Sequence, residues 1–220
     1  MSSITRVAHL STPSRRRMPA AQRREAILAA ALEVFSQSGF HGASLEDVAA
    51  RGEISKALIY EHFPSKRELE RALLEMHVDE LLGRVIAAIT AADTEEERLR
   101  DGVDAFLEFV ADHPVAWRLL FRNVEDPDIA EAFSRLQGEV TETIAGLMVA
   151  NAPDAYRAAD PEFVQASEMM AQQLTGAVQS LANWWDDHPE VSRGRVLELA
   201  MDFSWVGIER LGGGERWAGR

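Results

Sequence analysis

The segment from Ile54 to Lys66, ISKALIYEHFPSK, carries the side chains best suited to recognising a ligand surface. It holds two lysines, a tyrosine, a histidine and a phenylalanine, and its apolar positions are too few for a helix buried in a core. We expect Ile54 and Ile59 to hold the segment against a neighbouring helix. The residues that then face partly or wholly outward are Lys56, Ala57, Leu58, Tyr60, Glu61 and His62.

The elements around this segment predict two short helices joined by a tight turn. SLED at 44–47 is a capping-box pattern that opens the first helix, and RGEIS at 51–55 ends it. The second helix runs for two turns from Ser55 to about His62 and ends before Pro64. This is the helix-turn-helix pattern, which sets one helix against the DNA backbone and the next in the major groove. On spacing alone, an ordinary helical hairpin within a bundle is the alternative.

The rest of the chain predicts an all-α fold of about nine helices, with no alternating strand pattern and no internal repeat. Capping residues and prolines at the starts, and glycine or proline at the ends, set the bounds. The remaining helices are expected at about 19–39, 65–92, 94–113, 114–122, 126–151, 160–187 and 192–211.

Charge is distributed unevenly along the chain. Its formal net charge is -13, which argues against a nonspecific nucleic-acid binder. Residues 1–75 nevertheless hold 11 Lys and Arg against 9 Asp and Glu, a net of +2, which leaves -15 for residues 76–220. The first 24 residues contain six arginines and no acid. We therefore predict a small basic-edged module followed by a large acidic body, and only the module suits a polyanion.

Several function classes are excluded or disfavoured. The absence of cysteine excludes disulfides, thiolate metal sites and a cysteine nucleophile. No apolar run approaches the roughly 20 residues of a membrane span, and no secretion signal is present, so we predict a cytoplasmic protein without membrane contact.

No catalytic motif is found, so we predict no enzyme activity, cofactor or metal. The chain lacks His-Glu-x-x-His, Glu-x-x-His, Gly-x-Ser-x-Gly and a phosphate-binding glycine loop. Two groups, His77 with Asp79 and Glu80, and Asp186-Asp187-His188, could bind a metal. A solvated helix face and a fraying helix end explain them better.

Residues 23–75, RREAILAAALEVFSQSGFHGASLEDVAARGEISKALIYEHFPSKRELERALLE, resemble the N-terminal domain of the TetR family of bacterial transcriptional regulators. The resemblance joins the ILxAALxxF helix, the turn at Gly39-Phe40, Ser44, and the S-K-x-x-x-Y-x-H-F-x-x-K run that ends at Lys66. It implies a three-helix helix-turn-helix domain at 19–65 and a larger helical effector-binding and dimerisation domain at 66–211. We expect a mobile arginine-containing tail at 1–18 and a frayed end at 212–220.

The resemblance also implies residue roles on double-stranded DNA. Lys56 and Ala57 would face base edges, because lysine donates to guanine acceptors and alanine allows approach to a thymine methyl. The residues implied to hold phosphates are Ser44, Ser55, Tyr60, His62 and Lys66. The tail arginines either reach the DNA backbone or a minor groove or form a solvated tail.

Two residues depart from the family pattern. Glu53 stands where the turn usually has glycine, which is displaced to Gly52. A left-handed backbone at Glu53 would cost about 1 kcal/mol. Glu61 replaces a frequent aromatic and would pair with Arg67 or discriminate against some DNA sites.

The last helix is apolar on two sides and therefore needs two partners. One is its own domain, and the other is expected to be the same helix of a second copy, with helix 160–187 completing a four-helix interface. A helix simply buried within one chain is the alternative. The resemblance also implies the homodimer, whose predicted interface residues are Leu181, Trp184, Leu199, Phe203, Val206 and Gly207.

Family likeness further implies a pocket for a small, largely apolar effector. The candidates are Phe106, Phe109, Trp117, Phe121, Met169 and Gln173, although residues at this helical spacing can equally be core. The resemblance thus implies a dimeric, ligand-responsive regulator, a repressor that binds a palindromic operator and is released by its effector. A helical small-molecule carrier or interaction protein without DNA binding is the alternative, supported by Glu53 and Glu61.

Overall fold

The computed structural model describes residues 19–122, 127–150 and 161–212, and every regular element within these ranges is helical. The helices are α1 (Ala20–Gly42), α2 (Leu45–Arg51), α3 (Lys56–His62), α4 (Lys66–Ala91), α5 (Glu95–Asp112), α6 (Pro114–Ala116), α7 (Pro127–Ala150), α8 (Pro161–Asp186) and α9 (Arg193–Gly212). A π-helical turn at Trp117–Arg122 continues α6 directly. The all-α prediction is confirmed.

Side-chain caps explain where the helices begin. Ser44, Ser55, Ser65 and Thr94 each accept a hydrogen bond from the backbone N–H three residues later. Such a bond satisfies one of the amides that a helix start leaves unpaired. Pro161 and Pro127 begin α8 and α7 as predicted, but their expected capping aspartates, and the tail and C-terminal end, lie outside the described residues.

Two helices depart from their predicted form. The first was expected to end at Gly39, whose φ of 67° does leave the helical region. The chain then makes one more turn to Gly42, and Ala43 N–H donates to the Gly39 carbonyl at 3.2 Å. The predicted single helix over 114–122 is one short α-helical turn followed by the π turn.

The first three helices, called the head, sit on the other six, called the body. In the head, α1 packs on α2, and α2 on α3. α1 also contacts α4, α6 and the π turn of the body. Within the body, α4 packs on α5, α7 on α8, and α9 on both α5 and α8. One hydrophobic core runs through both parts, from Ile27 and Ile59 to Phe109 and Val196.

Gly102 permits the close contact between α4 and α5. A Cβ at this position would lie 2.9 Å from Cγ1 of Ile89. A larger residue there would require either the Ile89 side chain or one of the two helices to shift. Among the described residues, no helix has both the length and the apolar character needed to span a bilayer.

Candidate nucleic-acid interface and ligand cavity

The turn between α2 and α3 holds Glu53 at a φ of 50°, in the left-handed region. Backbone bonds close the turn, from Gly52 N–H to the Val48 carbonyl at 2.9 Å and from Ile54 N–H to the Ala49 carbonyl at 3.0 Å. Ile59 is fully buried and anchors α3 to the other helices of the head. A glutamate therefore occupies the strained position, as the sequence indicated, and the turn keeps a compact form.

The outward face of α3 presents Lys56, Ala57, Tyr60 and Glu61, all exposed. Lys56 Nζ lies 5.7 Å from the centre of the Tyr60 ring and forms an ion pair with Glu46 of α2. This hydrogen bond lowers the pKa of Glu46 and raises the pKa of Lys56. The candidate base-reading lysine is therefore held by an acid of its own chain.

The hydroxyls expected to meet phosphates also cap helices. Asp47 N–H donates to Ser44 Oγ at 3.1 Å, while Ser44 N–H and Oγ–H donate to Asp47 Oδ2 at 3.0 and 2.6 Å. These bonds from Ser44 lower the pKa of Asp47. Ser55 Oγ accepts from Leu58 N–H at 3.2 Å, and half-buried His62 packs beside Phe63. A phosphate at Ser44 would compete with Asp47 for both donors.

Lys66 turns back into the head. Its Nζ donates to the carbonyls of Phe40 and Ala43, the latter at 2.8 Å, and lies 4.3 Å from the centre of the Phe40 ring. These carbonyls belong to the last turn of α1 and the residue after it, so Lys66 fastens the start of α4 to the end of α1. Two of its three N–H donors are thus already engaged within the chain.

The body contains a partly open apolar cavity of about 210 Å³. Aliphatic and aromatic side chains of α4, α5, α7, α8, α9 and the π turn form most of its wall. The apolar lining comprises Leu81, Leu82, Val85, Ile89, Leu99, Gly102, Val103, Phe106, Trp117, Phe133, Val140, Ile144, Leu147, Met148, Leu174, Val178, Trp205 and Ile208. Polar lining residues are Glu95, Arg98, Gln137, Thr175 and Gln179, with Gln137 donating to Gln179.

The N-terminal and the C-terminal parts of the chain each match a family of known proteins. Residues 27–73 match the model for bacterial regulatory proteins of the tetR family, and residues 95–207 match the tetracyclin repressor-like C-terminal domain. The second match alone spans more than half of the chain. This chain belongs to the TetR family.

Relatives of this TetR-family protein are regulators of transcription. It is 31% identical over 199 residues to the HTH-type transcriptional activator FasR of Mycolicibacterium smegmatis, covering 89% of this chain and 87% of FasR. It is 37% identical over 115 residues to the HTH-type transcriptional regulator RutR of Escherichia coli K12, about half of each chain. A TetR-like transcriptional regulator from Rhodococcus sp. RHA1 has the same fold, with a TM-score of 0.72, 27% identity, and 88% and 99% coverage.

The TetR-family resemblance of the sequence is therefore confirmed, as is the prediction of a regulator rather than an enzyme. The protein is a DNA-binding transcriptional regulator of the helix-turn-helix type. Its helix-turn-helix, α2 and α3, lies within the first family match.

The structure brings together only some of the six residues suggested for the effector pocket. Phe106 and Trp117 line the cavity. Phe109 and Phe121 are buried behind it, where Phe121 stacks on Trp117 at 5.6 Å. Met169 is 60% exposed and Gln173 is also exposed, so both lie on the outer face of α8. Sequence periodicity does not separate the inner and outer faces of α8, because apolar residues occur on both.

The suggested dimer residues concentrate on an exposed apolar surface. Of the eight large apolar side chains exposed in the described ranges, five lie on α8 and α9: Met169, Trp184, Leu199, Phe203 and Val206. Gly207 is exposed beside them, whereas Leu181 is partly buried against the core. Val196 and Ala200 of α9 are buried in their own chain.

An ion-pair network at the π turn was not predicted. Asp186 has only 4% of its side chain exposed and accepts from Arg118 Nε at 2.9 Å and from Arg122 Nη1 at 2.8 Å. Arg122 also pairs with Asp187, which lowers the pKa of that carboxyl. The expected fraying end of α8 is instead fastened to the π turn.

Proposed function

We propose that this TetR-family regulator is a homodimeric repressor that binds a palindromic operator and releases it when a small, largely apolar effector enters the cavity. The observation that carries the proposal is the position of Trp117. It lines the cavity, and the short helix and π turn that hold it pack directly against α1 of the head.

The operator would be read by α3. Lys56 and Ala57 contact base edges, and Ser44, Ser55, Tyr60, His62 and Lys66 contact phosphates. The exposure of Lys56, Ala57 and Tyr60 supports these roles, since a contact residue must reach the groove. Lys66 would meet a phosphate through its remaining donor.

The dimer would form through the apolar surface of α8 and α9. Large apolar side chains gathered on two adjoining helices favour burial against a partner. A second copy is the partner that a two-fold operator requires, because two recognition helices must enter major-groove faces about 34 Å apart.

The effector would act through α6 and the π turn. A ligand that fits the cavity better in one arrangement of Trp117 shifts the population toward that arrangement. Because α1 rests on the same segment, the spacing of the two heads changes with it. The buried Trp117 Nε1 has no hydrogen-bond partner in the described part of the chain. Nε1 is inaccessible in this arrangement, so an effector with an acceptor group would reach this donor only after the Trp117 ring moves.

Activation of transcription is the second candidate, and the name of FasR as an activator favours it. Repression follows when the operator overlaps a promoter and excludes polymerase, and activation when it lies beside one. Transcription in vitro from a promoter that carries the operator distinguishes the two functions. The added protein lowers the transcript yield if it is a repressor and raises the yield if it is an activator.

The first experiment is selection of bound sequences from a random duplex library at near-physiological salt, where nonspecific binding is weak. We expect an enriched two-fold-symmetric site. Lys56→Ala should relax the base preference, whereas Lys66→Ala should weaken all sites alike and flatten the salt slope by about one unit. Equal losses on preferred and scrambled sequences for both variants would refute the role of Lys56, and a folded wild-type protein without enrichment would favour the carrier alternative.

A further inference from the structure

A cluster of two imidazoles and a carboxylate lies between α4 and the junction of α5 and α6. His77 and Glu80 are on α4, and His113 stands between α5 and α6. Each offers one ligand atom, and these three atoms lie within 4.8 Å of one another. In the described ranges, this is the one group of three or more histidine and acidic side chains with such spacing.

His77 is the member that its surroundings explain least. It is 3% exposed, although the sequence suggested a solvated helix face, and neither ring nitrogen has a hydrogen-bond partner in the described structure. A buried polar group left unpaired is costly, so such a group calls for a partner. The ring lies 5.3 Å from the His113 ring and 6.2 Å from that of Phe109, centre to centre.

We propose that His77, Glu80 and His113 form a binding site for a first-row divalent cation of the zinc type. Two imidazoles and one carboxylate form a donor set that suits Zn²⁺, Co²⁺ or Ni²⁺ better than Mg²⁺ or Ca²⁺, which prefer oxygen ligands. Three protein ligands leave the remaining positions to water. The cation therefore exchanges with solution instead of being locked in a closed structural site.

The ligand atoms need only a small adjustment. Two atoms that each lie about 2.1 Å from Zn²⁺ are about 3.4 Å apart in tetrahedral geometry. His113 Nε2 and Glu80 Oε2 already lie 3.4 Å apart. The widest pair in the cluster must close by about 1.4 Å at most.

Neighbouring groups orient the ligands as in known metal sites. His113 Nδ1 lies 3.2 Å from the Phe109 carbonyl, to which an Nδ1–H would donate, and Nε2 is the ring nitrogen that faces Glu80. Arg84 donates to Glu80 Oε1 at 2.7 Å and to Asp112 Oδ2 at 2.7 Å, so Glu80 Oε2 remains for a metal.

A cation at this point would join α4 to the segment that begins α6. Both elements carry α1 of the head. The bound metal would thus restrain the position of the head relative to the body. The proposal does not depend on the effector or the operator, since metal binding is measured on the full chain alone.

The test is titration of the full-length, tag-free chain with Zn²⁺ by calorimetry, and with Co²⁺ by visible absorption, which reports the coordination of the ion. We expect one site per chain with nitrogen-coordinated Co²⁺ bands and a higher Tm with Zn²⁺. Glu80→Gln and His113→Gln should each weaken binding at least about 100-fold, and Arg84→Gln about 10- to 100-fold. These positions are partly exposed, so the variants should fold, which circular dichroism checks.

His41→Gln is the matched control, because His41 is an exposed histidine of α1 outside the cluster. It should leave the affinity and the Tm shift unchanged. The proposal is overturned if the folded wild type binds neither ion at this site. It is also overturned if His113→Gln and Glu80→Gln bind as tightly as wild type, or if His41→Gln loses the same binding.

Discussion

Lys56 has an opposing acid within its own chain. Glu46 binds its ammonium across the helix-turn-helix, and each partner shifts the pKa of the other toward the charged form. In the proposed complex, DNA must separate this pair before Lys56 can reach a base, and Glu46 then remains near the phosphates. The proposal therefore implies that the acid restrains both affinity and nonspecific attraction.

Glu46→Gln is expected to tighten operator binding by about two- to fivefold, the range of an exposed ion pair. The plot of log affinity against log salt should steepen by about 0.9, because one opposing charge is lost. Fluorescence anisotropy with labelled duplex at several salt concentrations measures both quantities.

Glu75→Gln is the matched control for this variant. It removes the same charge from an exposed pair with Arg71 on α4, away from α3. If the two variants raise affinity equally, Glu46 acts only through net charge and does not restrain Lys56.

Replacement of glycine by alanine is expected to have opposite effects on stability at two helical positions, Gly102 and Gly83. A Cβ at Gly102 collides with Ile89 across the α4 and α5 contact, whereas a Cβ at exposed Gly83 meets nothing within 4 Å. Gly83→Ala should raise the free energy of unfolding by about 0.5–1 kcal/mol through helix propensity. Gly102→Ala should lower it by about 1–3 kcal/mol through overpacking.

Urea unfolding followed by circular dichroism measures both changes. Since Gly102 also lines the cavity, its variant should also weaken binding of the proposed effector. Stabilisation by Gly102→Ala equal to that by Gly83→Ala would show that α4 and α5 separate easily, and would contradict a rigid cavity wall.

Helix starts were predictable because they depend on a few adjacent residues. The serine caps at Ser44, Ser55 and Ser65 lie where the sequence placed them. His77 could also have been assigned to the core, because it continues the buried face of α4 that contains Leu73, Leu74 and Leu81. Its polar character led to the opposite interpretation.

Other features depend on contacts distant in sequence. Asp186 meets Arg118 and Arg122 across more than 60 residues, and nothing local to either segment indicates the pairing. Lys66, at the start of α4, likewise reaches the carbonyls of Phe40 and Ala43 at the end of α1. Helical periodicity identifies which side chains are apolar, but not whether they face a core, a cavity or a second chain.

The proposed dimer makes the whole molecule depend on the α8 and α9 surface. Phe203, 76% exposed, is the most exposed of its large apolar side chains. Burial of a phenylalanine is worth about 1.5–3 kcal/mol, and a two-fold interface contains it twice. Phe203→Glu should therefore weaken dimerisation at least about 100-fold.

Sedimentation velocity measures the dimer, and operator titration measures its consequence for DNA binding. Ile86→Glu is the control, since Ile86 is 46% exposed on α4 and lies outside the α8 and α9 surface. A Phe203→Glu protein that stays folded and becomes monomeric should bind single half-sites but lose the strong preference for the full palindrome, because the two heads no longer bind as a unit. If that variant remains dimeric while Ile86→Glu dissociates, the interface lies on α4, and the exposed face of α8 and α9 needs another partner.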